Sequence, residues 1–175
     1  MHAASGSARV SAIFAVARGS AIGAIAAFRS AFPDGESNVR LVVKSINGEQ
    51  RPADVADLVA ACAGDLRIEM IDQHLDDARH HALLAAADVL VSLHRSEGYG
   101  LHPAIAMWLG TPVIATRYSG VLDFMDDSCA AMVDARLVAV ATASIMALAS
   151  TTTSQTSCVV LLWLWRRSNP RGSSG

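Results

Sequence analysis

The feature that most constrains this chain is a rhythm. From residue 10 to about residue 133, short β-rich apolar runs alternate with longer amphipathic ones, and only a few residues connect them. A chain with that alternation returns each strand parallel to the last through a helical crossover, which is the pattern of an α/β sheet. VSAIFAV (residues 10–16) reads as a strand, and AIGAIAAFRSAF (21–32) as a helix stopped by Pro33, Asp34 and Gly35. VRLVVKSI follows as a strand, then a helix over 52–62 with Gly64 beyond its end, where a C-cap glycine is expected. LRIEMI is a third strand and residues 76–87 a helix. DVLVSL (88–93) is the continuous apolar strand of a sheet covered on both sides. A helix over 101–109, the strand PVIAT and a short helix SGVLDFM capped by Ser119 complete the pattern. The fold class implied is α/β, a Rossmann-like parallel sheet with helices on both faces.

Composition narrows the function. Of 175 residues, 52% are hydrophobic and 17% charged, which suits one domain with a well-buried core. The formal net charge of −2 lacks the basic excess of a nucleic-acid or anionic-membrane binder, so no nucleic-acid or membrane partner is expected. Cys62, Cys129 and Cys158 are widely spaced and signal neither zinc nor a disulfide framework. Reduced thiols and a cytoplasmic, at most membrane-peripheral, location follow. An apolar patch in the first twenty residues is closely bracketed by Arg9 and Arg18, a poor secretory signal. The uncharged stretch over 137–165 is broken by TTTSQTS into pieces too short for the roughly 20 residues of a membrane span. Beyond residue 133 the rhythm fails. The expected division is therefore a sheet domain over 1–134 and an atypical tail over 135–175, disordered at its end.

Right-handed crossovers bring every strand's carboxyl end to one edge, where ligands bind in such sheets. The loops over 17–20, 45–48, 94–100 and 116–120 should open there. The third reads HRSEGYG and runs straight into a helical pattern. Gly98 and Gly100 flank Tyr99, permit dihedrals that a side chain forbids and let a ligand approach the backbone. The amides from Gly98 through Leu101 to His102, at a helix start, suit a phosphate. Glu97 is a ligand-facing carboxylate, a solvated loop residue or a helix N-cap partner, and Tyr99 a ligand contact or a packing lid. His94, at the strand end, touches a ligand or forms a surface pair with Arg95. Lys44, ending the second strand, points from the binding edge as a ligand contact or is an ordinary lysine. Ser119 and Gly120 face the same rim from the next loop. His74, His80 and His81 lack zincin spacing and read as a solvated face; Asp123, Asp126 and Asp127 read as capping and solvated residues. No metal is expected.

ADVLVSLHRSEGYGLHPAIAMWLGTPVIATRYSGVLDFM resembles the donor-binding half of a retaining glycosyltransferase of the GT-B fold. Upstream, AIAAFRSAFP and VRLVVKSINGE resemble that family's opening helix and second strand, so the similarity covers residues 10–133. The resemblance implies transfer of a hexose from a nucleoside diphosphate-sugar with retention, the nucleotide sugar being a substrate and no separate cofactor being needed. It assigns Glu97 to the sugar hydroxyls as the catalytic-site carboxylate. In retaining members the protein stabilises the leaving diphosphate and positions the acceptor.

Three departures accompany the resemblance. The family's second glutamate, eight positions on, is Ile105, which cannot hold the ribose. The family's diphosphate lysine falls on Gly19, leaving Arg18 as a substitute of different geometry. The acceptor-binding N-terminal domain is expected to be missing, which implies a truncated, partly degenerate relative. The alternative is thus a non-catalytic nucleotide-sugar-binding module or degenerate fragment.

Overall fold

A computed structural model of the chain describes residues 21–33 and 38–135, and the backbone of residues 11–16. Among the described residues, six strands form one parallel sheet: β1 (Ser11–Val16), β2 (Val39–Ser45), β3 (Ile68–Asp72), β4 (Val89–Ser92), β5 (Val113–Thr116) and β6 (Ala131–Val133). Their spatial order is β3-β2-β1-β4-β5-β6. The helices are α1 (Ala21–Ala31), α2 (Pro52–Cys62), α3 (Asp77–Ala86) and α4 (Leu101–Trp108). The chain thus steps outward from β1 to β2 and β3, then returns to the other side of β1 for β4, β5 and β6. That reversal opens a crevice at the carboxyl ends of β1 and β4.

The strands bury residues on both sides. Val89 and Val91 of β4 join an apolar cluster with Ile25, Phe28 and Leu41, whereas the intervening Leu90 joins a second cluster with Leu84 and Ala106. Alternation within an all-apolar run is what a sheet covered by helices on both faces demands. In α1 the buried positions Ala21, Ala24, Ile25, Phe28 and Ala31 recur at helical spacing, so one face of the helix packs on the sheet. Phe28 and Phe32 pack with ring centroids 5.3 Å apart, and the Arg67 guanidinium lies 5.3 Å from the centre of Phe28. Arg67 also pairs with Asp65 at 2.6 Å, which holds the Asp65 carboxyl below the usual carboxylate range.

Local signals place most of the helix ends. Pro52 opens α2, where its missing N–H has no partner to lose, and Asp76 caps α3 by accepting the Arg79 amide at 2.8 Å. Two ends differ from expectation. The left-handed turn after α2 begins at Ala63, with φ 47°, one residue before Gly64. SGVLDFM forms a single 3-10 turn, Ser119–Asp123, whose flanking residue is Tyr118, so Ser119 is not its cap. β6 is three residues long and carries too little pattern to stand out in the sequence.

Arg18, Gly19, Cys158, residues 1–10 and the expected tail from residue 136 onward lie outside the described residues. Cys62 and Cys129 are free thiols. Among the described residues no helix is long and apolar enough to cross a membrane.

Candidate functional site

The site is built from two loops at the carboxyl edge, residues 93–100 after β4 and 117–124 after β5. β4 ends in the crevice beside β1, so the EGYG turn stands at the reversal of the sheet. Gly98 and Tyr99 are exposed, whereas Gly100 is buried. The amides of Gly98, Tyr99 and Gly100 donate to no described residue. Leu101 opens α4 and has no carbonyl a turn earlier within the helix to which its amide could donate. Four consecutive peptide groups therefore present donors at the positive end of a helix.

The two glycines differ in kind. Gly100 has φ 93° and ψ 48°, and a Cβ there would lie 2.6 Å from Val121 Cγ1 and 3.3 Å from Phe124 Cζ. Gly98 is not in the left-handed region, and a Cβ on it would meet open space. The dihedral argument thus holds for Gly100 alone, while Gly98 leaves room above the backbone.

Glu97 is half-buried, and its carboxylate has neither a hydrogen bond nor an ion pair with a described residue. Its backbone is tied down. The Ser119 hydroxyl donates to the Glu97 carbonyl at 2.5 Å, the Gly120 amide donates to the same oxygen at 3.1 Å, and the Glu97 amide donates to Ser119 Oγ at 3.3 Å. Gly120 packs against the Gly98 and Tyr99 backbone so closely that a Cβ would fall 2.6 Å from the Gly98 carbonyl carbon. Tyr99, 58% exposed, leans on Phe124 with ring centroids 5.1 Å apart, so one side of the ring packs and the rest stays open. Leu101 is also exposed, and its contribution is its amide.

Three expected ligand contacts make hydrogen bonds within the chain. His94 is 5% exposed, and its Nε2 lies 2.9 Å from the Tyr118 carbonyl. The other ring nitrogen, Nδ1, lies 3.1 Å from the Ser92 carbonyl and 3.2 Å from Ser92 Oγ. Both nitrogens are engaged, and His94 braces one loop against the other. Lys44 is also 5% exposed, with its ammonium donating to the Ser45 and Gln73 carbonyls at 2.5 Å each. Burial pulls its pKa below the ordinary lysine value, against the opposing pull of Asp72. It holds the ends of β2 and β3 together under the rim. Ser119 directs its hydroxyl to Glu97 and not outward.

The histidines are not a purely solvated face. His80 is half-buried with its ring edge-on to His102 at 5.0 Å, and His81 lies 6.4 Å from Trp108. Desolvation, then the charges of His102, Lys44 and His81, lower the His80 pKa below 6.5, and Asp77 opposes them. Among the described residues no group of His, Cys, Asp and Glu could hold a metal. Asp126 accepts from the Ser128 hydroxyl and amide, and Asp127 and Asp134 both bind Arg117, as capping and surface roles require. Ile105 packs beside the second apolar cluster. A cavity of about 400 Å³ lined by Val89, Pro112, Val113 and Ala131 opens at the opposite edge, away from the turn.

The braces His94, Ser119 and Lys44 escaped sequence reasoning because each reaches a backbone oxygen more than twenty residues away. One signal was available for Ser119: the small dipeptide Ser119-Gly120 leaves a strand on the same edge as EGYG, where only small residues let two loops touch.

This architecture, with its open turn at the sheet reversal, matches one half of GT-B glycosyltransferases. Anabaena HepE in complex with UDP and glucose superposes with TM-score 0.71 at 14% identity, over 94% of this chain and 41% of that one. WaaG, a glycosyltransferase involved in lipopolysaccharide biosynthesis, gives 0.64 at 18% identity over 94% and 40%. A UDP-forming trehalose-phosphate synthase from Burkholderia xenovorans gives 0.66 at 13% over 94% and 39%. The chain thus spans about two fifths of the length of these structures. Residues 15–157 match the family 4 glycosyltransferases in conflict systems, and the chain belongs to that family. The match continues past residue 133 into the stretch that the sequence reading set apart as a tail. A comparison with curated proteins gives no significant match.

Proposed function

We propose that this chain is the donor-binding half of a retaining hexosyltransferase, and that it holds a nucleoside diphosphate-sugar at the 97–101 turn. One observation carries the reading: a turn at the sheet reversal, exposed at Gly98, Tyr99 and Leu101, whose amides from Gly98 to Leu101 have no described acceptor. A diphosphate bears two negative charges, and amides at a helix start receive them without a lysine. Glu97, its carboxylate uncommitted, accepts hydrogen bonds from the sugar hydroxyls. Tyr99 flanks the ligand with its open face, and Arg18, two residues after β1 in the sequence, is the candidate cation. In transfer, these donors stabilise the leaving diphosphate while a second domain supplies the acceptor. The UDP and glucose of the Anabaena relative are consistent with this ligand class. A cytoplasmic site fits a nucleotide-sugar donor.

A second reading, a nucleotide-sugar-binding module without transfer activity, is favoured by Ile105. An apolar side chain packed at the family's ribose position forgoes a charged hydrogen bond worth about 1.5–3 kcal/mol. Both readings require the diphosphate, so binding is tested first. Calorimetry with UDP, GDP and ADP and their glucose conjugates should detect binding, and Glu97→Ala should weaken the conjugate more than the bare diphosphate. Equal losses remove Glu97 from the sugar. Glucose released from, or transferred by, the chain mixed with candidate acceptors separates enzyme from module.

A further inference from the structure

We propose that Ser119 is the positioning residue for Glu97: its hydroxyl, held in a left-handed backbone turn, fixes the carbonyl and amide of Glu97 and thereby aims the carboxylate. The inference rests on the donor reading of the same turn.

The observations converge on one residue. Ser119 has φ 70°, a conformation that a side chain other than glycine adopts at a cost. Glycine would fit the backbone better, yet serine stands there, and its hydroxyl works in both directions, donating to the Glu97 carbonyl and accepting from the Glu97 amide. A single rotatable group thus grips both ends of the Glu97 residue's peptide frame. Its neighbours complete the clamp. The Gly120 amide shares the Glu97 carbonyl, and His94 holds the Tyr118 carbonyl at 2.9 Å, so the 118–120 backbone is itself braced from below. Glu97 has no side-chain partner among the described residues to aim it, which leaves the backbone clamp as the source of its orientation. A carboxylate that must distinguish one hydroxyl pattern from another needs such support, because discrimination by hydrogen bonding falls steeply with misalignment.

The test separates aim from stability. Ser119→Gly relieves the left-handed strain and deletes the hydroxyl; Ser119→Ala deletes the hydroxyl and keeps the strain. Both should lower the preference for the glucose conjugate over the bare diphosphate by about fivefold, the factor of one ordinary net hydrogen bond. The thermal midpoint should hold or rise in Ser119→Gly and fall in Ser119→Ala. A purely structural serine predicts a loss of preference only where the midpoint falls. If Ser119→Gly keeps the wild-type preference, the positioning role is overturned while the donor reading stands. If the wild-type chain binds none of the diphosphates, the donor reading fails and this role with it.

Discussion

Replacing Gly100 with alanine isolates what the turn requires. Alanine in the left-handed region that Gly100 occupies, φ 93°, costs about 1–2 kcal/mol. The new methyl would also lie 2.6 Å from Val121 Cγ1, and Val121 is fully buried and packed with Met125 and Ala106, so it cannot move aside cheaply. Overpacking of a filled interior adds about 1–3 kcal/mol. The variant should therefore lose about 2–5 kcal/mol, a large part of the roughly 5–15 kcal/mol of a typical domain. Gly98→Ala is the control from the same turn. It has an ordinary φ and open space for the methyl, so its stability should stay within about 0.5 kcal/mol of wild type. Urea unfolding followed by far-ultraviolet circular dichroism reads both midpoints. Equal shifts for the two variants, or an undisturbed Gly100→Ala, would refute the geometry assigned to the turn. On the proposed donor reading the Gly98 methyl would crowd the diphosphate, so that variant should nevertheless weaken diphosphate binding.

Ile105→Glu should tighten nucleoside-diphosphate binding by restoring a ribose acceptor, while lowering stability because Ile105 packs beside an apolar cluster; calorimetry and unfolding together resolve the two effects. The His80 side chain titrates lower in the folded chain than in the unfolded one, where 6.5 is the ordinary value. The unfolded chain therefore binds the proton first as pH falls, so the His80 contribution is intact above pH 6.5 and is lost below it. Unfolding midpoints between pH 7.5 and about pH 5 should show that slope, and His80→Gln should flatten it.

Much of this was legible in the sequence. The run 88–93, apolar without a break, dictated a strand covered on both faces, and Leu90 turning to the opposite cluster from Val89 and Val91 bears that out. The position of EGYG at the carboxyl edge followed from the alternation of strands and helices, because parallel strands share their carboxyl side. Partner identity did not follow. His94, Lys44 and Ser119 are polar residues at strand ends, which the sequence reads as ligand contacts, but each finds a carbonyl that only the folded chain brings near. A buried polar group must satisfy its hydrogen bonds somewhere, and periodicity names the edge without naming the oxygen. Ser119 illustrates a second limit, since serine before a short helical run is an ordinary cap signal. Here the backbone turned left-handed and sent the hydroxyl across to Glu97.

The central claim is that the Gly98–Leu101 amides receive a diphosphate. Nitrogen-15 amide spectra recorded while UDP, GDP or ADP is added test it directly. The Gly98, Tyr99, Gly100 and Leu101 resonances should move furthest and saturate together with at least one of the three. Saturable shifts elsewhere that leave these four amides still, or no shifts with any of them, would contradict it.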